Sequence, residues 1–181
     1  GNIWRGRQGG TMEHTRADHM GMLATVINSL AIQDAFERAD IDARVMTAVP
    51  IEAFAEFYSR NKAVSHLNRG KVTIFGCGMG NPFFSTDTAA VLRGAEIGAD
   101  VVLMAKNIDA IYTDDPRKNP DAKKLSEVDY DYILKNHLSA IDTCAASFAM
   151  DNHMKLHIFG LDDSENIYRV IMGEKIGTIV D

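Results

Sequence analysis

The sequence predicts an α/β fold, a three-layer αβα sandwich around a mainly parallel sheet, and three observations carry that reading. Short runs of β-forming residues alternate along the chain with longer stretches of helical period. One run, Val101-Val102-Leu103-Met104-Ala105, is apolar at every position, as a strand covered on both faces is. Another, Val72-Thr73-Ile74-Phe75, feeds a glycine loop from which a helical pattern leaves. No internal repeat, low-complexity tract or linker interrupts this order, so the economical count is one domain over residues 1–181.

Taken in order, Gly1-Asn2-Ile3-Trp4-Arg5-Gly6 reads as the loop after a strand, so the chain is expected to begin mid-fold. Residues 6–17 have no apolar period and read as a mobile loop. Asp18 stands as an N-cap before Met20, Leu23, Ala24, Ile27, Leu30 and Ala31, whose spacing predicts a helix over 18–39. Residues 45–49 before Pro50 predict a strand, 51–58 a short helix or turn, and 61–67 a helix ended by Asn68-Arg69-Gly70. A strand over 71–75 then enters the glycine loop, and Ser85, Thr86 and Asp87 are all able to cap a helix over 88–97. After the strand at 101–105, residues 106–121 turn polar and lose the apolar period, which marks a functional-loop candidate. Residues 126–136 predict a helix, Asp142 caps a second one through residue 151, and a strand at 156–159, a helix at 167–172 and a strand at 178–180 complete the pattern.

Composition narrows the function classes. With 181 residues and 46% hydrophobic content the chain can bury a substantial core. A formal charge of -6 argues against a nucleic-acid partner, because an acidic surface repels a phosphate backbone. Cys77 and Cys144 lie far apart and form no metal or redox spacing, which fits a reducing cytosol. The six histidines are scattered without metal-ligand spacing. No apolar run reaches the roughly 18 residues of a membrane span, and no signal peptide opens the chain.

In open α/β sheets ligands gather beyond the carboxyl ends of the strands, which selects three loops: 1–6, 76–87 and 105–116. In the second, Gly76-Cys77-Gly78-Met79-Gly80, three glycines in five residues let backbone N–H groups turn inward, a geometry that can hold a phosphate or a polar ring edge. Its spacing is neither that of the Walker loop nor of the dinucleotide fingerprint. A tight turn with a buried Phe83-Phe84 pair explains the same residues. Arg5, in the first loop, has the guanidinium fork that meets phosphate oxygens, and a solvated surface arginine explains it as well.

The wording of three segments goes further. GNPFFSTD at 80–87, GNIWRG at 1–6 and DHMGMLAT at 18–25 resemble bacterial uridylate kinase (UMP kinase), of the amino-acid-kinase superfamily. The resemblance covers essentially all of this chain and about three quarters of that family's length, with the family's N-terminal part lacking. It implies a phosphotransferase that moves the γ-phosphoryl of Mg-ATP onto UMP, giving UDP and ADP in pyrimidine nucleotide biosynthesis, with Mg²⁺ arriving with ATP and no protein metal site. Such a transfer requires no general base, because the acceptor phosphate has a second pKa of about 6 and is already largely ionised. It requires two polyanions in line and the charge on the moving group neutralised.

The resemblance also implies roles. Gly1 and Arg5 approach the phosphates, Arg5 and Lys106 being the catalytic pair. Asp18 meets the UMP ribose, and Met79, Gly80, Asn81, Pro82, Phe83, Phe84, Ser85 and Thr86 form the UMP segment, with Asn81 and Thr86 the side-chain contacts. Met79 stands where many members have threonine. On the ATP side, Lys106 and Asn107 compete for the nucleotide-contact position, Tyr112 lies against adenine, and Asp115 accepts from a ribose hydroxyl; Asp115-Pro116 is equally a turn opener. Family members are cytoplasmic homohexamers activated by GTP and inhibited by UTP, and Arg44 falls on a GTP-contacting arginine. Two other readings stay open: another superfamily phosphotransferase acting on a carboxylate or small phosphate, and a nucleotide-binding protein of the same fold without turnover.

Overall fold

A computed structural model describes residues 11–181. The expected sites at Gly1 and Arg5 lie outside the described residues. The chain packs as two compact units, Gly1–Ala89 and Ala90–Asp181.

In the first unit, helix α1 (His14–Arg38) begins four residues before Asp18. Residues 14–17 are therefore helical rather than loop, and Asp18 is no cap. The cap is Glu13, whose carboxylate accepts from the N–H groups of Thr15 at 2.9 Å and Arg16 at 3.0 Å. A glutamate reaching over the first turn does the work expected of a shorter side chain, which moves the boundary. Strands β1 (Ala43–Thr47), β2 (Glu56–Phe57) and β3 (Val72–Gly76) form a parallel sheet in the order β2-β1-β3. Helix α2 (Arg60–Leu67), capped by Ser59, returns the chain from β2 to β3. The segment 51–58 resolves into a turn followed by β2. Ala17, Ala24 and Val26 of α1 are buried, as are Ala43, Val45 and Met46 of β1.

Helix α3 (Thr86–Ile97) carries the chain into the second unit. There β4 (Val102–Lys106) pairs in parallel with β8 (Leu156–Gly160), β8 pairs antiparallel with β9 (Thr178–Val180), and β9 pairs in parallel with β7 (Glu127–Val128). The sheet order is β4-β8-β9-β7. A separate antiparallel hairpin joins β5 (Ile111–Tyr112) to β6 (Lys124–Leu125) inside the polar loop. Helices α4 (Tyr130–Lys135), α5 (Thr143–Asp151) and α6 (Glu165–Ile171) complete the unit. The core gathers Val91, Met104, Ile133, Leu156, Ile158 and Val180 against the small face of α5, Ala145, Ala146 and Ala149. Alanines there let the helix axis approach the sheet closely.

Two expectations for the second unit change. The helix predicted over 126–136 is split, because Glu127 and Val128 pair with β9 and Asp129 then caps α4, accepting from Tyr132 N–H at 2.6 Å. The apolar run at 101–105 is not covered on both faces: Met104 is buried, but Leu103 is 37% exposed and Ala105 is exposed. Asp142 caps α5 as expected, accepting from Ala145 N–H at 3.0 Å.

Candidate functional site

Beyond β3 the backbone turns left-handed at Cys77 (φ 65°), Gly78 (φ 55°), Gly80 (φ 79°) and Phe83 (φ 71°). At Gly80 no other residue fits, since a Cβ would stand 2.9 Å from the Ala48 carbonyl oxygen. At Cys77 the same conformation is borne by a side chain, a cost that surrounding contacts must offset. Those contacts are visible: Cys77 N–H donates to the Thr25 hydroxyl of α1 at 2.8 Å, and its carbonyl accepts from Gly80 N–H at 2.9 Å. The thiol is fully buried, and burial pushes its pKa up, so Cys77 supports the loop and is no nucleophile.

The same loop is tied to α1 a second time. Phe83 N–H donates to Asp18 Oδ2 at 2.8 Å across 65 residues of sequence. His14 Nε2 lies 3.2 Å from that oxygen, and its ring packs on the Phe83 ring with centroids 4.5 Å apart. Among the described residues both of these polar contacts fall on Oδ2 of Asp18. The Phe83-Phe84 pair is not buried: Phe83 is 71% and Phe84 51% exposed. A positive φ at Phe83 swings its side chain away from the core while its N–H turns to Asp18, which explains the correction. Ser85 caps α3, its hydroxyl accepting from Thr88 N–H at 3.2 Å. Asn81 and Thr86 are exposed, while Met79, Gly80 and Pro82 are half-buried. Asp18 and the segment 79–86 thus form one constellation in the first unit.

Arg44 sits on β1 at the end remote from the glycine loop. Its Nη1 donates to Asp42 Oδ1 at 2.6 Å and to the Ala43 carbonyl at 2.7 Å, and Lys71 meets the other oxygen of Asp42 at 2.7 Å. The hydrogen bond from Lys71, joined by the charge of Arg44, holds the Asp42 carboxyl below its usual range.

In the second unit Lys106 ends β4, opposite Gly160 of β8, and its Nζ donates to the Ala140 carbonyl at 2.6 Å. Asn107 follows it, exposed. Tyr112, on β5, donates its hydroxyl to Asp109 Oδ1 at 3.0 Å, and Lys124 on the facing strand donates to Asp109 Oδ2 at 3.0 Å. Partial burial works against the charged form of Asp109, but the bonds from Lys124 and Tyr112 outweigh it and keep the carboxyl below its ordinary value. The bond to Asp109 correspondingly raises the Tyr112 phenol. With the hydroxyl so employed, the ring face is what Tyr112 offers a flat partner. Asp115 opens a turn: its side chain accepts from Arg117 N–H at 3.0 Å and its carbonyl from Lys118 and Asn119 N–H at 3.0 and 2.9 Å. Lys106, Asn107, Tyr112 and Asp115 thus all stand on the strand end and hairpin that follow β4.

Sequence reasoning missed His14 and Asp109. His14 had a local signal, standing four residues before Asp18 at helical spacing, while its ring partner Phe83 is remote in sequence. Asp109 had one, standing three residues before Tyr112 in a polar loop. Among the described residues no group of three or more His, Cys, Asp or Glu side chains is arranged to hold a metal ion, and no helix is long and apolar enough to cross a membrane.

Comparison with known proteins agrees with this architecture. The amino acid kinase family matches residues 4–160. The structure of a UMP kinase from Bacillus anthracis superposes with a TM-score of 0.93 at 35% identity, over 99% of this chain and 75% of that one. A UMP kinase from Ureaplasma parvum gives 0.92 at 33% identity, over 99% and 78%. A uridylate kinase from Archaeoglobus fulgidus, at 24% identity and a TM-score of 0.69 over 94% and 74%, shares the fold. The chain belongs to the amino acid kinase family. Its fold and its structural neighbours are those of a UMP kinase-like phosphotransferase.

Proposed function

We propose that the protein transfers the γ-phosphoryl of Mg-ATP to UMP, forming UDP and ADP. The observation that carries the reading is the Asp18–Phe83 tie, which fixes the partly exposed segment 79–86 against α1 through one carboxylate oxygen, the other being assigned to a sugar. In this reading Asp18 Oδ1 accepts from the UMP ribose hydroxyls. The left-handed loop and the start of α3, with Asn81 and Thr86, hold the base and the acceptor phosphate.

The ATP side is the hairpin end of the second unit. Tyr112 lies against adenine and Asp115 accepts from a ribose hydroxyl. Lys106 neutralises the transferred group, with Asn107 the competing residue at that position. Magnesium enters as part of the ATP substrate. Stabilisation of the moving charge, not proton abstraction, supplies the rate.

Regulation and assembly belong to the same reading: GTP as activator through Arg44, UTP as inhibitor, and a homohexamer in the cytoplasm. An exposed apolar row on α1, Met20, Leu23 and Ile27, supports subunit contact, since such residues repeat on one helix face and find no cover among the described residues. The test is ADP release with UMP, CMP and small carboxylic acids as acceptors. UMP is expected to be preferred; a preference for a small acid assigns another phosphotransferase, and binding of nucleotide without ADP release assigns a binding protein.

A further inference from the structure

The β5–β6 hairpin has two residue pairs, Ile111 with Leu125 and Tyr112 with Lys124. Beyond them Thr113 N–H donates to the Lys123 carbonyl at 2.9 Å and the Thr113 hydroxyl accepts from Lys123 N–H at 3.0 Å, and a hairpin this short is marginal by itself. The first pair is gripped from outside by one side chain. The Thr178 hydroxyl accepts from Ile111 N–H at 2.8 Å and donates to the Leu125 carbonyl at 2.5 Å, so a single oxygen ties both strands. Thr178 is 0% exposed, and the hydroxyl's donor and one acceptor site are thereby filled without water.

Thr178 is itself fixed to the main sheet. It pairs with Ile158 of β8, and β9 reaches that register through Gly177, whose φ is +80° and whose added Cβ would stand 2.1 Å from the Ile158 carbonyl oxygen. Only glycine allows that approach. The hairpin is therefore tied to β9 through this hydroxyl, beside the bond from Ile179 N–H to the Ser126 carbonyl at 2.9 Å and the packing of Ile111 and Leu125 on the core, and its next pair carries Tyr112 and Lys124, which share Asp109.

We propose that Thr178 is the positioning residue of this hairpin: its buried hydroxyl clamps Ile111 and Leu125 and so sets where Tyr112 and Asp115 stand for the base and sugar of a nucleoside triphosphate. The assignment of the hairpin to ATP rests on the reading under Proposed function.

The test uses the intact polypeptide with T178V, which keeps the shape and removes the hydroxyl, and T178S, which keeps both hydrogen bonds. Loss of the clamp leaves the buried Ile111 N–H and the partly buried Leu125 carbonyl without this partner. In T178V, hydrogen exchange at the Ile111 amide is expected to quicken about tenfold while β1 amides are unchanged. KM for ATP is expected to rise about tenfold, with KM for UMP and kcat at saturation within about twofold, and T178S is expected to restore all of these. The proposal is overturned if T178S is impaired as much as T178V, or if Ile111 exchange quickens without a change in KM for ATP. Should T178V not fold, T178A replaces it, and an unchanged KM for ATP in T178A overturns the clamp. A wild-type protein that makes no UDP sinks the functional reading alone; Ile111 exchange and calorimetric ATP binding in the same variants still decide the clamp.

Discussion

Replacement of Asp18 by alanine separates the two jobs its carboxylate is assigned. The structural job is the bond from Phe83 N–H to Oδ2 at 2.8 Å. A hydrogen bond to a charged acceptor is worth about 1.5–3 kcal/mol net, but Phe83 lies in the open and its freed N–H is rehydrated, so the loss falls to about 1 kcal/mol. For a chain of this size that lowers Tm by about 2–4 °C. The ligand job is two charge-assisted bonds to ribose hydroxyls at about 1.5 kcal/mol each, together about 3 kcal/mol or roughly a hundredfold in UMP affinity. D18A is therefore expected to raise KM for UMP about a hundredfold and leave KM for ATP unmoved, read by initial rates with UMP varied at saturating ATP. D18N is expected to fall between, because its amide oxygen still accepts from Phe83 while the charge facing the sugar is gone. If D18A loses the expected Tm but keeps the wild-type KM for UMP, Asp18 is only a loop tie and the site assignment is wrong.

Three further outcomes follow from the same geometry. G80A forces a Cβ to 2.9 Å from the Ala48 carbonyl at φ +79° and is expected to destabilise by about 2–3 kcal/mol, read as a lowered urea midpoint; a loss within about 0.5 kcal/mol would show that the loop relaxes freely. In native protein Cys77 is expected to resist a thiol reagent at pH 8 while exposed Cys144 reacts, and mass spectrometry of the first labelled species distinguishes them. The Asp109 carboxyl has a depressed folded pKa, so its contribution to stability is present above the unfolded value near 3.8 and is lost as pH falls through the folded value. D109N is accordingly expected to flatten the acid limb of the stability curve below about pH 4, and equal acid limbs in D109N and wild type would contradict that account.

The alternation of strands and helices, the glycine loop after β3 and the caps at Ser85 and Asp142 were legible in the chain because each is local: period, backbone freedom and a short side chain beside the N–H it satisfies. The likeness of the segment 80–87 to the uridylate kinases was legible for the same reason, as a run of adjacent residues. What the sequence misled on was decided at a distance. Asp18 reads as a cap until Glu13 takes that role, and its true partner is an amide 65 residues away. A buried Phe83-Phe84 pair was one of two readings of that segment, and the left-handed turn at Phe83 goes with both rings lying outside. The register of β9, which places the Thr178 hydroxyl between Ile111 and Leu125, leaves no trace in neighbouring residues. Local propensity determines which elements form, but which polar atoms meet depends on packing between elements remote in sequence, and no window on the chain contains both partners.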